Sequence, residues 1–418
     1  MKTKKKTLGI GFVGGGFITR FHLRSWVGVR NADILGIFDP DQKKAQEAAA
    51  LARQLKVGEA RPYKSITEMV ADPEIDALWI CSPNFTRTEV MEEIAEAAIR
   101  GKGELIGVSC EKPLGRNVKE ARKMLQLVQK ANLLDGYLEN QVFAPAVVRG
   151  KEIVWARGAS LCGRPYLARA AEEHSGPHMP WFWEGELQGG GVLNDMMCHS
   201  VEEARFMLTP PGASRDELTP VKLTAYASCL KWQIPEYVDQ LKKISDGKLN
   251  YARRPAEDFA RSVVEYKDKQ GNILVVETST SWCYVGAGLR LTMELLGPEY
   301  SLQVNTLDSG LKVFFSRRVK GKAGEDLVEK QNAEVGLMPV VSSEEHEYGY
   351  TAEDRHMVES FLEGKRPLEN FSDGVNVTEL LMAAYMSIEK EKALSFPPPG
   401  LDNFIPAVAK GKWNPKKK

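Results

Sequence analysis

The sequence predicts an α/β protein. A doubly wound parallel sheet at the N-terminus is followed by a second α/β domain with a large, mostly antiparallel, open-faced sheet. Three observations carry this. Short apolar runs alternate with amphipathic helical stretches through the first part of the chain, a strand–helix repetition that argues a parallel sheet. A glycine-rich turn, Gly14-Gly15-Gly16, joins the first run to the first helical pattern. Past Pro145 the register changes to longer segments of alternating and β-branched residues joined by tight reversals.

The first strand enters its turn as Thr7-Leu8-Gly9-Ile10-Gly11-Phe12-Val13, and Phe17-Ile18-Thr19-Arg20-Phe21-His22 opens the helix. A buried strand, a glycine turn and a helix N-terminus make a pyrophosphate cradle, because glycine lets backbone approach phosphate and the helix dipole favours its charge. This is the Rossmann arrangement, and Gly14, Gly16, Phe17 and Ile18 are its candidate contacts. Thr19 stands where a third Gly or Ala is usual and is expected to loosen the helix–strand contact. The next strand, 32–38, ends at Asp39, an acid about 20 residues past the loop. A carboxylate there holds the ribose hydroxyls of NAD and repels the extra phosphate of NADP, so NAD is favoured. The same residue is placed to cap the helix 41–54.

Alternation continues with a strand at 75–81, its exit loop Ser82-Pro83-Asn84, and an amphipathic helix at 86–100 closed by Gly101. The apolar run 105–108 reads as a buried strand leading into Ser109-Cys110-Glu111-Lys112-Pro113-Leu114. Asn117 is a fitting N-cap for a helix at 118–131, and 133–138 is a further strand. Ser82, Asn84, Glu111 and Lys112 thus share neighbouring loops on the carboxyl edge of the sheet, where open α/β sheets bind ligands. A lysine in such a turn can be a plain surface residue. Its company on that edge makes Lys112 a catalytic candidate.

The boundary falls near residue 145, giving domains 1–145 and 146–418. A linking helix at 147–157 precedes strands at 221–228, 258–266, 273–282, 289–296 and 311–315, all taken as members of the large sheet. Its open face is expected to pair with a second subunit, as a homodimer or homotetramer. An insertion, 235–255, has a helical core at 236–245. Helices at 352–362 and 375–389 lie in a closing segment, 351–390, expected to pack back towards the first domain.

The densest chemical stretch is 172–202. It holds three of the six histidines, His174, His178 and His199, the run Trp181-Phe182-Trp183, and a triple glycine, 189–191, leading into a helix. The glycines are expected to let a ligand approach closely. Asp195 and His199 are four apart on that helix and share a face, so the carboxylate can orient the ring and tune it for proton transfer. Trp181 and Trp183 offer a flat apolar wall for the carbon face of a sugar, with His174, Glu172 and Asp195 available to its hydroxyls. Core packing is the plain alternative for the aromatics. A zinc site from His174, His178, Asp195 and His199 is disfavoured, because Gly176-Pro177 breaks the helix that would align the two histidines; no metal is expected.

Composition narrows the classes. Of 418 residues, 27% are charged and the formal net charge is zero, so there is no long-range field for nucleic acid or acidic membranes. The lysine runs 4–6 and 416–418 look like solvated tails. No apolar run approaches the roughly 18 residues of a membrane span, and no signal-peptide core is present. Six scattered cysteines without a Cys-x-x-Cys pair suit free thiols in a reducing compartment, hence a cytoplasmic location.

Taken together, the glycine loop, Asp39, Ser82-Pro83-Asn84, Glu111-Lys112-Pro113, Asn140 with Phe143 and Pro145, and Gly189–His199 resemble the Gfo/Idh/MocA family, with a fainter match at Ala384-Tyr385-Met386-Ser387. The resemblance implies NAD(P)-linked oxidation of a secondary alcohol on a sugar, inositol or related polyol. It places Lys112 by the nicotinamide and the reacting hydroxyl, often before a cis proline (here Pro113), adds Asn140 to the cofactor contacts, and has Asp195 and His199 meet the substrate. Arg87 departs from the histidine common after the Pro-Asn loop. The segment 173–183 with 195–200 resembles a narrower branch that oxidises position 3 of glucosides to 3-keto sugars. Three rival functions remain: a glycoside hydrolase using bound NAD for transient oxidation and elimination, an inositol or polyol dehydrogenase, and a non-catalytic NAD-binding regulator. Lys112, Asp195 and His199 together, with no DNA-binding segment, argue against the regulator.

Overall fold

The computed structural model describes residues 6–316, 327–331 and 335–415. Most of both lysine runs, Lys4, Lys5 and 416–418, lies outside the described residues. The chain forms two compact units: 1–145 with 348–378, and 146–347 with 379–418. Residues 348–378 therefore group with the first unit, whereas the sequence assigns all of 146–418 to the second domain.

In the first unit six parallel strands form one sheet: β1 (Leu8–Val13), β2 (Ala32–Phe38), β3 (Arg61–Tyr63), β4 (Ala77–Ile80), β5 (Gly107–Glu111) and β6 (Leu134–Leu138). Their order is β3-β2-β1-β4-β5-β6, with the switch between β1 and β4. The central strands are buried because helices cover both faces: β1, β4 and β5 are buried at every position. The helices start where their caps dictate. Asp41 accepts from the Lys43 amide, and Asn117 accepts from the Glu120 amide at 3.1 Å.

The second unit carries a seven-stranded sheet built from β7 (Leu167–Glu173), β8 (Thr219–Ser228), β9 (Phe259–Lys267), β10 (Ile273–Ser281), β11 (Arg290–Gly297), β12 (Tyr300–Asn305) and, later in the chain, β15 (Leu394–Ser395). Its order is β12-β11-β7-β10-β9-β8-β15, and only the β7–β10 pair is parallel. The helix Val192–Leu208 packs on β7 and β10. The opposite face carries cross-strand ion pairs, Arg169 reaching Glu277 at 2.8 Å and Glu294 at 3.3 Å.

The sequence does not predict β3, β7, β12, β15 or the strand Gly336–Val340, and one predicted strand changes partners. β7 sits inside this sheet, between β11 and β10, yet its Ala- and charge-rich sequence has little strand propensity. The segment Leu311–Phe315 (β13) leaves the large sheet and pairs with Gly336–Val340 (β14) in a separate ribbon. The linking helix is Pro145–Ile153 followed by a wider π-type stretch, Val154–Ala159. All six cysteines are free thiols. Among the described residues no helix is long and apolar enough to cross a membrane.

Candidate active site

In the first unit the glycine turn is shaped by its own neighbours. Gly14 has φ +108°, and a Cβ there would press on the Cys81 carbonyl. Thr19 does not loosen the helix as its size suggests: fully buried, its hydroxyl donates to the Gly14 carbonyl at 2.6 Å and closes the turn. The helix Phe17–Ser25 begins at Gly16 with no side-chain cap and no acid in its first turn, and the space beside Gly16 is open. Those free amide groups, with the dipole behind them, suit a pyrophosphate. Phe17 is 54% exposed beside them and Ile18 is half-buried. At the end of β2 the Asp39 carboxylate accepts from the Gly15 amide at 2.8 Å and from the Asp41 amide at 2.8 Å, so it stands against the turn as a ribose-binding acid must. The residues present fit a dinucleotide.

Beyond β4 and β5 lie the two loops that flank the same edge. Ser82 and Asn84 are buried. Arg87, the departure from the family pattern, is also buried and ties the loops together. It donates from Nε to the Ser82 carbonyl at 2.9 Å and from Nη1 to the Glu111 carbonyl at 2.7 Å and to that of Pro113. No sequence pattern announces this bridge, because its three acceptors are backbone. Lys112 is half-buried, and the Lys112–Pro113 peptide is cis. Glu111, expected beside the cofactor, has its carboxylate turned inward, accepting from His22 Nε2 and from the Lys112 amide, both at 3.0 Å. The Asn140 amide donates to the Tyr348 carbonyl at 2.7 Å and so fastens the returning segment of this unit. Glu139 beside it is fully buried; desolvation pushes its carboxyl up to about 8, against the pull of Lys112.

In the second unit the helix Val192–Leu208 presents Asp195 and His199, both buried. Asp195 Oδ2 accepts from the Trp282 indole N–H at 3.3 Å. Glu172, from β7, faces His199 Nε2 at 3.8 Å. Period-two alternation could have found it: Ala168, Ala170 and Glu172 are buried on one side of the strand while Arg169 is exposed. His174, at the end of β7, accepts from the Gly176 amide through Nδ1 at 2.9 Å, which leaves Nε2 as its N–H. His178 is exposed.

Two expectations need correction here. The triple glycine makes room for the protein itself: a Cβ on Gly190 would overlap the Tyr385 hydroxyl, and one on Gly191 would overlap Glu257. Glu257 Oε1 accepts from the Gly191 amide at 2.8 Å and the Leu193 amide at 3.2 Å, and the Tyr385 hydroxyl donates to the same oxygen. A carboxylate on a helix N-terminus satisfies its free N–H groups. Burial nevertheless pushes Glu257 up to about 7 against those hydrogen bonds. The tryptophan wall is likewise divided. Trp183 is 3% exposed, packed by Trp282, Trp232 and Tyr251 at 4.9, 4.7 and 5.7 Å between ring centres. Trp232, just before the insertion, and Tyr251, within it, pack edge-on against its ring. Trp181 stays half-exposed, stacked on Phe182 at 3.8 Å.

Comparison with known proteins defines the class first. Residues 8–135 match an oxidoreductase family with an NAD-binding Rossmann fold, and residues 158–303 match the C-terminal domain that accompanies it. The chain belongs to the Gfo/Idh/MocA family. Relatives include the 1,5-anhydro-D-fructose reductase of Ensifer adhaerens, 28% identical over 49% of this chain and 57% of its own. The levoglucosan dehydrogenase of Pseudarthrobacter phenanthrenivorans is 27% identical over 49% and 52%, and the myo-inositol 2-dehydrogenase of Thermotoga maritima 26% over 48% and 54%. The chain spans about half the length of these curated relatives. Among solved structures, GenD2 from gentamicin A biosynthesis in complex with NAD shares the fold with a TM-score of 0.74, at 23% identity over 94% of this chain and 98% of its own. Levoglucosan dehydrogenase in complex with NADH and levoglucosan gives 0.68 at 21% identity over 94% and 100%.

Proposed function

We propose that the chain is an NAD-dependent dehydrogenase that oxidises a secondary hydroxyl of a sugar or glycoside, preferentially position 3 of a glucoside to the 3-keto sugar. The observation that carries this reading is the Glu111–Lys112–Pro113 turn, a half-buried lysine on the sheet edge that also bears the uncapped glycine turn and Asp39. The matching relatives named for anhydrofructose, levoglucosan and myo-inositol support a sugar or cyclic polyol as substrate.

Gly14, Gly16, Phe17 and Ile18 would hold the pyrophosphate, Asp39 the ribose, and Ser82, Asn84 and Asn140 the nicotinamide end. Bound NAD would supply the hydride acceptor. Lys112 Nζ would stabilise the alkoxide that develops as the hydroxyl proton leaves. His199 would take that proton, and Glu172 at 3.8 Å favours the charged ring that results. Trp181 gives the sugar a flat face, while His174, His178 and Asp195 are the groups for its hydroxyls.

A panel of glucosides, free sugars and inositols, followed by NADH absorbance with product mass spectrometry, tests the reading. Oxidation of glucosides with a ketone at position 3 is expected. Turnover of inositols alone would make it a polyol dehydrogenase, and free aglycone without net NADH would make it a hydrolase.

A further inference from the structure

Behind the Lys112 turn the first unit buries a line of charge that no motif marks. His22, on the helix Phe17–Ser25, is 0% exposed. Its Nδ1 lies 3.0 and 2.9 Å from the two oxygens of Asp354, and its Nε2 lies 3.0 Å from Glu111 Oε1. Asp354 also accepts from the Ser25 hydroxyl and from the Trp79 indole N–H at 3.0 Å. Glu111 Oε2 takes the Lys112 amide at 3.0 Å. A neutral imidazole has one N–H, so carboxylates at both nitrogens call for the doubly protonated ring. Burial works against that proton, yet Asp354 and Glu111 outweigh it and hold His22 well above the usual histidine range. Burial likewise pushes Glu111 up, but the His22 hydrogen bond and charge, with Arg87 and Lys112, hold it below the usual carboxylate range.

We propose that His22 is a positioning residue for Lys112, acting through Glu111. The inference rests on the reading of Lys112 as catalytic. Three elements far apart in sequence meet at this ring: the helix behind the glycine turn, the end of β5, and the helix Tyr350–Glu363. The ring turns Glu111 so that one oxygen faces His22 and the other fixes the amide of Lys112. Arg87 holds the Glu111 carbonyl from the other side at 2.7 Å. A long, flexible lysine can be aimed only from a fixed root, and a misplacement of about 1 Å costs on the order of 100-fold in rate. The other titratable groups facing this line are Glu353 on the Asp354 helix, Glu139 after β6 and Cys81 after β4. Burial raises all three, which favours their protonated forms and leaves Asp354 and Glu111 as the counter-charges that hydrogen-bond His22.

The test uses the full chain and the variants H22Q and D354N, with K112M in parallel. D354N keeps an acceptor at Nδ1 and removes its charge, so it is the milder of the two variants. The account expects kcat to fall about 10-fold in D354N and about 100-fold in H22Q, with KM for NAD little changed. The alkaline limb of kcat should move to lower pH in D354N, because the ring then loses its proton sooner. Nitrogen NMR of the wild-type chain should show a doubly protonated His22 at neutral pH. Unchanged kcat and pH profile in both variants, or a singly protonated ring in the wild type, would overturn the inference. A fully active K112M would instead remove the catalytic reading of Lys112. An inactive K112M beside unaffected H22Q and D354N removes this inference alone.

Discussion

Around Lys112 one guanidinium gathers the carbonyls of Ser82, Glu111 and Pro113, and an imidazole bridges two buried carboxylates. Around the start of the helix that carries Asp195 and His199, the support comes from two glycines closed on Tyr385 and Glu257, and from the packed rings of Trp183, Trp232 and Trp282. The first region is held by charge and the second mainly by shape. They are therefore expected to fail differently: the first by loss of a hydrogen-bonding or ionising group, the second by added volume. Glu257, a carboxylate in the second region, caps a helix and so serves geometry as well.

The largest expected effect is at the end point of the charged region. Replacing Lys112 by Met should lower turnover about 100- to 1000-fold, the scale of losing one group that stabilises developing charge. NAD binding, followed by fluorescence, should persist. Arg87→Lys comes next. It keeps the charge but loses the planar fork, leaving buried carbonyls short of a donor, at a cost of about 1–3 kcal/mol. Denaturant unfolding should show that loss together with reduced kcat.

In the second region Gly190→Ala should destabilise by about 1–3 kcal/mol through overpacking against Tyr385, with a pH-independent shift in melting temperature. Pairing it with Tyr385→Phe, which removes the overlapped hydroxyl, should recover part of the loss. Equal melting temperatures for Gly190→Ala and the wild type would mean that the two regions are not supported differently.

How much of this was legible depends on the range of the interactions. The glycine turn, Asp39, the cap at Asn117 and the Lys112 turn are local patterns, and periodicity places them. β7 escaped because Ala168, Arg169, Ala170 and Glu172 lack the bulk that marks a strand. The sheet on either side, β10 and β11, makes it one. The partners of His22 lie 89 and 332 residues away, two of the three of Arg87 lie 24 and 26 away, and those of Glu257 lie 64 to 128 away; no local pattern encodes such distances. The glycines at 190 and 191 were visible as a need for space, but what fills the space is a tyrosine from the last long helix.

A further effect is a matter of sign. Glu139 keeps its proton in the folded chain up to about pH 8 but would lose it near 4.5 when unfolded. The folded state binds more protons across that window, so stability falls as pH rises through it and levels off above. Glu139→Gln cannot ionise, so its melting temperature should gain on the wild type as pH rises from about 5 to about 8, and no further beyond.

The central claim, oxidation of a glycoside hydroxyl with NAD, is tested most directly by stoichiometry. Purified protein, NAD and a glucoside should yield NADH and 3-keto glucoside in equal amounts, with the aglycone still attached. Released aglycone without net NADH, or equal product formation by K112M, would contradict it.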